Sequence, residues 1–251
     1  MAGEDFSRDA FFAGRFHLLQ PRRAGLRSGH DALLLASTVA PERKGRAVDL
    51  GSGAGAVALA AAVRAPGLQV VMAERDERMA TLAEATLLLP ENAPWTARLQ
   101  LARLDVTAQR PVREAAGLCD GAFDLVLTNP PFHPSSGRRS PDPLRDAAKV
   151  APDADFVDRW LRVSAALLRQ GGELVMIGRP DQLGEILSAA MGRFGDLRIR
   201  PVHSHSDAPA VRLLVSARRG SRAPLRLLPM LLLDEATNQA LGEGALRITM
   251  D

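Results

Sequence analysis

Two short stretches carry residue types whose spacing could do chemistry. The first is Leu127-Thr128-Asn129-Pro130-Pro131-Phe132, at the end of a β-rich apolar run. Two successive prolines fix the backbone and remove two N–H donors, so carbonyls and the Asn129 amide oxygen can face one ligand atom. An exocyclic NH2 group has two protons and needs two acceptors. Asn129 Oδ1 and the Pro130 carbonyl supply them, and Phe132 offers an apolar face on which a planar substrate stacks. The chemistry this suits is direct displacement on a sulfonium methyl group. Paired acceptors favour attack by the nitrogen lone pair, and the positive charge developing on nitrogen strengthens both hydrogen bonds in the transition state. Holding nucleophile and methyl group in line supplies much of the rest, with no strong base or metal required.

The second stretch is Asp49-Leu50-Gly51-Ser52-Gly53-Ala54-Gly55-Ala56. Glycines let the backbone turn tightly from strand to helix and approach a ligand closely. The spacing fits two ligand classes. Gly51, Gly53 and Ala56 satisfy the dinucleotide fingerprint, which tolerates Ala at its third position. Gly51, Gly53 and Gly55, preceded by Asp49, satisfy the loop of methyltransferases that use S-adenosylmethionine. Glu74 ends the next β-rich run, where a carboxylate can accept from both ribose hydroxyls, and its neighbour Asp76 suits a helix cap. Asp105 follows the third such run and could accept from an adenine amino group. Together with Asn129-Pro130-Pro131-Phe132, in this chain order, the set decides the glycine ambiguity against a nicotinamide enzyme. His133 is a loop bystander. His203 and His205 lack a third ligand and read as a polar turn.

These residues need elements to position them. Strand signals cover 46–50, 69–73, 98–103, 123–128 and 172–177, with helical runs at 55–64, 76–89, 153–169 and 181–193. Short strands alternating with longer helices predict right-handed βαβ units and a mostly parallel sheet, hence an α/β fold. Two further strands, 197–202 and 211–217, are joined only by a polar loop, which makes an antiparallel pair. Residues 222–233, with Pro224 and Pro229, suggest an added edge strand. Residues 1–31 form a separate N-terminal element running into the apolar helix Ala32-Leu33-Leu34-Leu35-Ala36, with Asp31 or Ser28 as its cap. The longest structureless stretch is 133–152, rich in Pro, Ser, Gly and charge.

With these residues in place, the chain resembles class I S-adenosylmethionine-dependent N6-adenine methyltransferases, and is most similar to the bacterial family that methylates adenine 37 of a valine tRNA. The resemblance spans about residue 20 to 233. It rests on Arg27-Ser28-Gly29-His30-Asp31-Ala32-Leu33-Leu34-Leu35, the Asp49–Gly55 loop, Glu74, Asn129-Pro130-Pro131-Phe132 and the Ser140-Pro141-Asp142-Pro143 loop. It implies a Rossmann-like seven-stranded sheet, mostly parallel with an antiparallel C-terminal hairpin. It also implies cofactor contacts from Asp49, Gly51, Ser52, Gly53, Gly55, Glu74, Asp105 and Asn129, with Arg27, His30 and Asp31 lining or closing the pocket. Residues 1–40 would then be a lead-in segment packing on the cofactor site, and 41–251 the methyltransferase domain with a C-terminal edge extension. Phe132 stands where Tyr is frequent in the family, and it stacks equally well. Ribosomal-RNA guanine N2-methyltransferases and release-factor glutamine methyltransferases share the Asn-Pro-Pro-aromatic motif, so they remain alternative targets. A nicotinamide oxidoreductase and a non-catalytic RNA-binding protein are the alternatives from other classes.

Composition sets the outer bounds. The 251 residues are 46% apolar, enough for a sizeable core, and carry a net charge of +3. The lone Cys119 excludes a disulfide scaffold and cysteine-pair zinc sites. No apolar run is long enough to cross a membrane, and the acidic Met1-Ala2-Gly3-Glu4-Asp5 start lacks a signal-peptide n-region, so a cytoplasmic setting is expected. The basic residues are 30 Arg and two Lys, and eight Arg against two Asp fall between Arg193 and Arg226. With Arg138, Arg139, Arg145 and Lys149, and with Arg15, Arg22, Arg23 and Arg27, they would form a phosphate-binding rim for an RNA substrate, with tRNA expected.

Overall fold

A computed structural model describes residues 6–22, 29–131 and 155–251. The described chain opens with an antiparallel hairpin, β1 (Phe6–Phe11) and β2 (Phe16–Pro21), which the sequence reading did not anticipate. Its turn places Phe12, Ala13 and Gly14 at positive φ. Phe12 is nonetheless fully buried, its ring set edge-on to Phe16.

The main sheet follows. Its long strands are β3 (Lys44–Leu50), β4 (Gly67–Glu74), β5 (Leu99–Arg103), β6 (Phe123–Thr128), β7 (Leu168–Gly178), β8 (Phe194–His203) and β9 (Arg212–Arg219). Their order is β8-β9-β7-β6-β3-β4-β5. β3 to β7 pair in parallel, and β9 runs antiparallel to both β7 and β8. This is the expected seven-stranded arrangement with its reversed hairpin. The expected edge strand at 222–233 is two short pieces, β10 (Arg226–Leu227) and β11 (Leu231–Leu232), both parallel to β8. Pro229 lies between them and has no N–H to continue a ladder.

Strand alternation sends side chains to two faces. Ala47, Leu125, Leu127, Val175 and Ile177 face one core, while Val48, Leu50, Val126, Leu174 and Met176 face the other. The first face is covered by α1 (His30–Ser37) and α2 (Ala56–Arg64), with α3 (Glu77–Leu87) beside them. Helices α4 (Ala93–Thr96) and α5 (Arg110–Ala115) are short connectors. The second face is covered by α6 (Phe156–Leu167) and α7 (Leu183–Ala190). A last helix, α8 (Glu235–Glu243), packs its Leu241 into the first core. Every residue of α2 is buried, and its alanines keep it thin enough to lie between the sheet and the hairpin.

Local signals explain some helix ends. Asp76 caps α3 as expected, accepting from the Met79 N–H at 2.9 Å. Helix α1 differs from expectation. Gly29 is its N-cap and no side chain caps it, because Asp31 lies inside the first turn and pairs with Arg212 instead. Ser28 lies outside the described residues.

Candidate active site

Parallel pairing brings the carboxyl ends of β3, β4 and β6 together, since Leu50 is opposite both Ala73 and Thr128. Asp49 to Gly55, Glu74 and Asn129 therefore share one edge of the sheet, where open α/β sheets bind ligands. The glycine loop is built for close approach. Gly51, Gly53 and Gly55 sit at φ values of 73°, 55° and 94°. A Cβ on Gly55 would come within 2.9 Å of the Met72 sulfur. Position 55 thus requires glycine, while Ala56 already belongs to α2.

The loop's N–H groups are turned inward. Gly51 and Ser52 donate to the Ala73 carbonyl, Gly55 donates to the Ser52 carbonyl, and Gly53 donates to Glu74 Oε2 at 2.8 Å. The other Glu74 oxygen accepts from the Arg75 and Asp76 N–H groups, each at 2.8 Å. These loop amides offer no cradle for a pyrophosphate. What the site exposes to a ligand is acceptor oxygen and negative charge.

Three buried polar atoms there have no hydrogen-bond partner among the described residues: Asp49 Oδ2, Ser52 Oγ and Asn129 Oδ1. Leaving such an atom unpaired costs on the order of 1–3 kcal/mol. Asp49 is only 1% exposed, and burial pushes its carboxyl up to about 8; the Ala58 backbone N–H opposes this and the charge on Glu74 adds to it. Unsatisfied polar atoms beside the Glu74 carboxylate suit a cationic ligand with several donors, and a nearby cation would draw the buried Asp49 back toward its ionised form. A sulfonium nucleoside with an amino-acid tail has that chemistry; a pyrophosphate does not.

The whole-chain comparisons agree. The methyltransferase small domain model matches residues 28–198. The chain belongs to the methyltransferase small domain family. It is an S-adenosylmethionine-dependent methyltransferase, which overturns the oxidoreductase alternative. Among curated relatives, the tRNA1(Val) (adenine(37)-N6)-methyltransferase of Pasteurella multocida is 27% identical, covering 91% of each chain. The enzyme of the same name from Tolumonas auensis is 29% identical over 84% of each. A solved structure from Agrobacterium tumefaciens, described as a predicted O-methyltransferase, is 34% identical with a TM-score of 0.73, covering 87% of this chain and 98% of that one.

Elsewhere in this methyltransferase the expected residues are placed unevenly. Asp105 lies beyond the tip of β5, where Oδ1 accepts from the Thr107 hydroxyl and N–H, and Oδ2 pairs with Arg75 at 3.3 Å. Burial works against its ionisation, but the Thr107 bonds and Arg75 outweigh it and hold the carboxyl below its ordinary value. His30 is exposed at the start of α1. Asp31 is committed to Arg212 at 2.9 Å, tying α1 to the start of β9. Arg27 and Phe132 lie outside the described residues.

Two findings depart from the sequence reading. Apart from Arg212 at the start of β9, the Arg193–Arg226 cluster does not ring the site. The pairing of β7 with β9 runs from Glu173 opposite Arg218 to Gly178 opposite Leu213, so the start of β8 and the end of β9 lie at the far edge of the sheet. There Arg198, Arg218 and Arg226 converge on Asp196, Arg193 binds Asp158, and Arg219 donates to the Leu168 carbonyl. Near the N-terminus, Arg22 donates to the Phe6 carbonyl. The loop cations Arg138, Arg139, Arg145 and Lys149, with Arg23, lie outside the described residues. The second departure is Trp160, which the sequence reading passed over. Its indole N–H donates to Thr128 Oγ1 at 3.0 Å, directly beneath Asn129. Only the Asn-Pro-Pro motif pointed to this strand end, and nothing in the spacing joined it to a residue of α6.

Proposed function

We propose that this methyltransferase transfers a methyl group to the exocyclic N6 amine of an adenine in tRNA. The observation that carries the reading is Asn129 Oδ1, buried and with no partner among the described residues, just past the end of the strand beside the glycine loop and followed by Pro130 and Pro131. An amine with two protons matches this acceptor together with the Pro130 carbonyl, whereas a hydroxyl has one proton to give. The two relatives named above, both named tRNA adenine N6-methyltransferases and both matched over most of their length, support adenine and tRNA over guanine or glutamine. A cytoplasmic location goes with such a substrate, and no helix among the described residues is long and apolar enough to cross a membrane.

In this reading Asn129, Pro130, Pro131 and Phe132 form the substrate pocket, with Phe132 stacking on the base. Gly51, Ser52, Gly53 and Gly55 form the floor of the cofactor site, beside Asp49. Glu74 accepts from a ribose hydroxyl with the one lone pair its three backbone bonds leave free, and Asp105 receives the adenine amino group of the cofactor. Arg27, His30 and Asp31 close the pocket from residues 1–40, and 41–251 act as the methyltransferase domain. Supporting that closure, Leu19 of the hairpin packs with Ala54 of the glycine loop and Leu82 of α3. S-adenosylmethionine, when bound, supplies an electrophilic methyl group on a cationic sulfur. The chain's part is to strip water from that site, hold the amine's two protons on Asn129 and Pro130, and aim the nitrogen lone pair. Both hydrogen bonds would strengthen as positive charge develops on the substrate nitrogen, which then gives up one proton to water.

The test is incubation with labelled S-adenosylmethionine and total RNA, followed by nucleoside analysis. N6-methyladenosine in the tRNA fraction is the expected product. Label in methylguanosine or in protein would overturn the adenine assignment.

A further inference from the structure

We propose that Trp160 is a positioning residue for methyl transfer, locking the strand end that carries Asn129 to the strand end that carries the glycine loop. The proposal rests on the assignment of Asn129 as an acceptor for the substrate amine. Trp160 is 7% exposed on α6, the helix that covers this end of the sheet. Its indole N–H donates to Thr128 Oγ1 at 3.0 Å, and that hydroxyl donates to the Leu50 carbonyl at 2.9 Å. Thr128 immediately precedes Asn129, and Leu50 immediately precedes Gly51. One relay therefore fixes the last residue of β6 to the last residue of β3.

The same indole reaches the loop itself. Its Cζ2 and Cη2 atoms lie 3.4 Å from where a Cβ of Gly51 would sit. Its other neighbours in a small apolar cavity include Pro130, Pro131 and Met176. Phe156 holds the ring in place at a centroid distance of 5.0 Å. Thr128 is fully buried, and its one proton and one of its acceptor lone pairs are used. A buried network satisfied at every atom has little freedom to shift. The loop places the methyl donor and Asn129 places the amine, so the relay sets the distance between the reacting atoms. Small errors in that distance are costly to rate.

Trp160→Phe keeps an aromatic ring and deletes the N–H. Thr128→Val keeps the shape and deletes the hydroxyl, testing the same bond from the other side. With S-adenosylmethionine and tRNA, each variant should lower kcat about tenfold, the size expected for one buried hydrogen bond. Donor affinity should stay within about twofold, and Thr128→Ser should restore kcat. The double variant should fall no further than Trp160→Phe alone, since both changes break one relay. An unchanged kcat, a multiplicative double variant, or a loss of donor affinity equal to the loss of kcat would each overturn the proposal. A second readout needs no turnover. The chain has two tryptophans, so Trp95→Phe leaves Trp160 as the sole indole, and its emission should change as S-adenosylmethionine saturates the protein. An emission blind to saturating donor also overturns the proposal. If Asn129→Ala is dead while Trp160→Phe keeps full kcat, only the Trp160 assignment fails; if Asn129→Ala stays active, the reading of Asn129 fails with it.

Discussion

Two buried aspartates at opposite edges of one sheet have opposite fates. Asp49 sits at the carboxyl edge of β3, 1% exposed, with one oxygen unpartnered and its carboxyl pushed up to about 8 by burial. Asp196 sits at the far edge, 8% exposed, and burial pushes its carboxyl up too. There Arg198 and Arg226 outweigh the burial and hold the carboxyl below its ordinary value, with Arg218 completing the cluster. The same residue type is left wanting where a ligand must bind and is saturated where only the fold is served. Polar groups at the catalytic edge forgo partners among the described residues, a cost that the Asp196 cluster at the far edge does not carry.

The comparison can be broken from either side. At the far edge, Asp196→Ala leaves nearly buried Arg198 with only the exposed Asp251 as counter-charge; stability should drop by about 3 kcal/mol and Tm by about 10 °C. Thermal melts check this, and a melting point within 2 °C of the parent's, by the same scale, would show that the far edge does not hold the fold together. Next is Glu74→Ala, which removes both the anchor of the Gly53 N–H and the proposed ribose acceptor. S-adenosylmethionine affinity should fall by about 10–100-fold, the range for hydrogen bonds to a charged group, and calorimetry showing unaltered affinity would refute the ribose assignment.

A pH-dependent effect is expected at Asp49. Its folded value, about 8, lies above the ordinary 3.8, so the folded chain holds a proton that the unfolded chain releases. That contribution to stability is complete below about pH 4 and is lost as pH rises to about 8. Asp49→Asn removes the dependence. The apoprotein variant should match the parent near pH 4 and melt progressively higher than the parent as pH rises toward 8. Parallel curves of Tm against pH for the two proteins would contradict the buried, unpaired state of this carboxyl.

Much of the catalytic edge could be read from the sequence because its signals are local. Gly51, Gly53 and Gly55 mark left-handed turns one after another, and Asn129-Pro130-Pro131 ends a strand whose apolar run is unmistakable. The α/β order followed from period alone. The far edge could not be read the same way. The partners of Arg193 to Arg226 depend on which way β8 and β9 run, so a local excess of arginine looked like a surface for RNA when its charges are turned on Asp196 and Asp158. Trp160 escaped for a similar reason: it meets Thr128 only after α6 folds back over the sheet. The hairpin β1–β2 packs against α2 and α3 rather than joining the main sheet, so it lacked the βαβ rhythm that revealed the other strands. Helix α8 did carry readable signals, a capping Asp234 that accepts from the Thr237 N–H and a left-handed Gly244 at its end.

The account's central claim is that Asn129 and the Pro130 carbonyl hold the two protons of a substrate amine. Asn129→Ala tests it most directly, with kcat and S-adenosylmethionine affinity measured on the same preparation. Methyl transfer to tRNA should fall by at least about a thousandfold, the upper range for losing one positioned acceptor of developing charge, while donor affinity stays nearly unchanged. An Asn129→Ala enzyme that still methylates adenine at a rate near the parent's would contradict it.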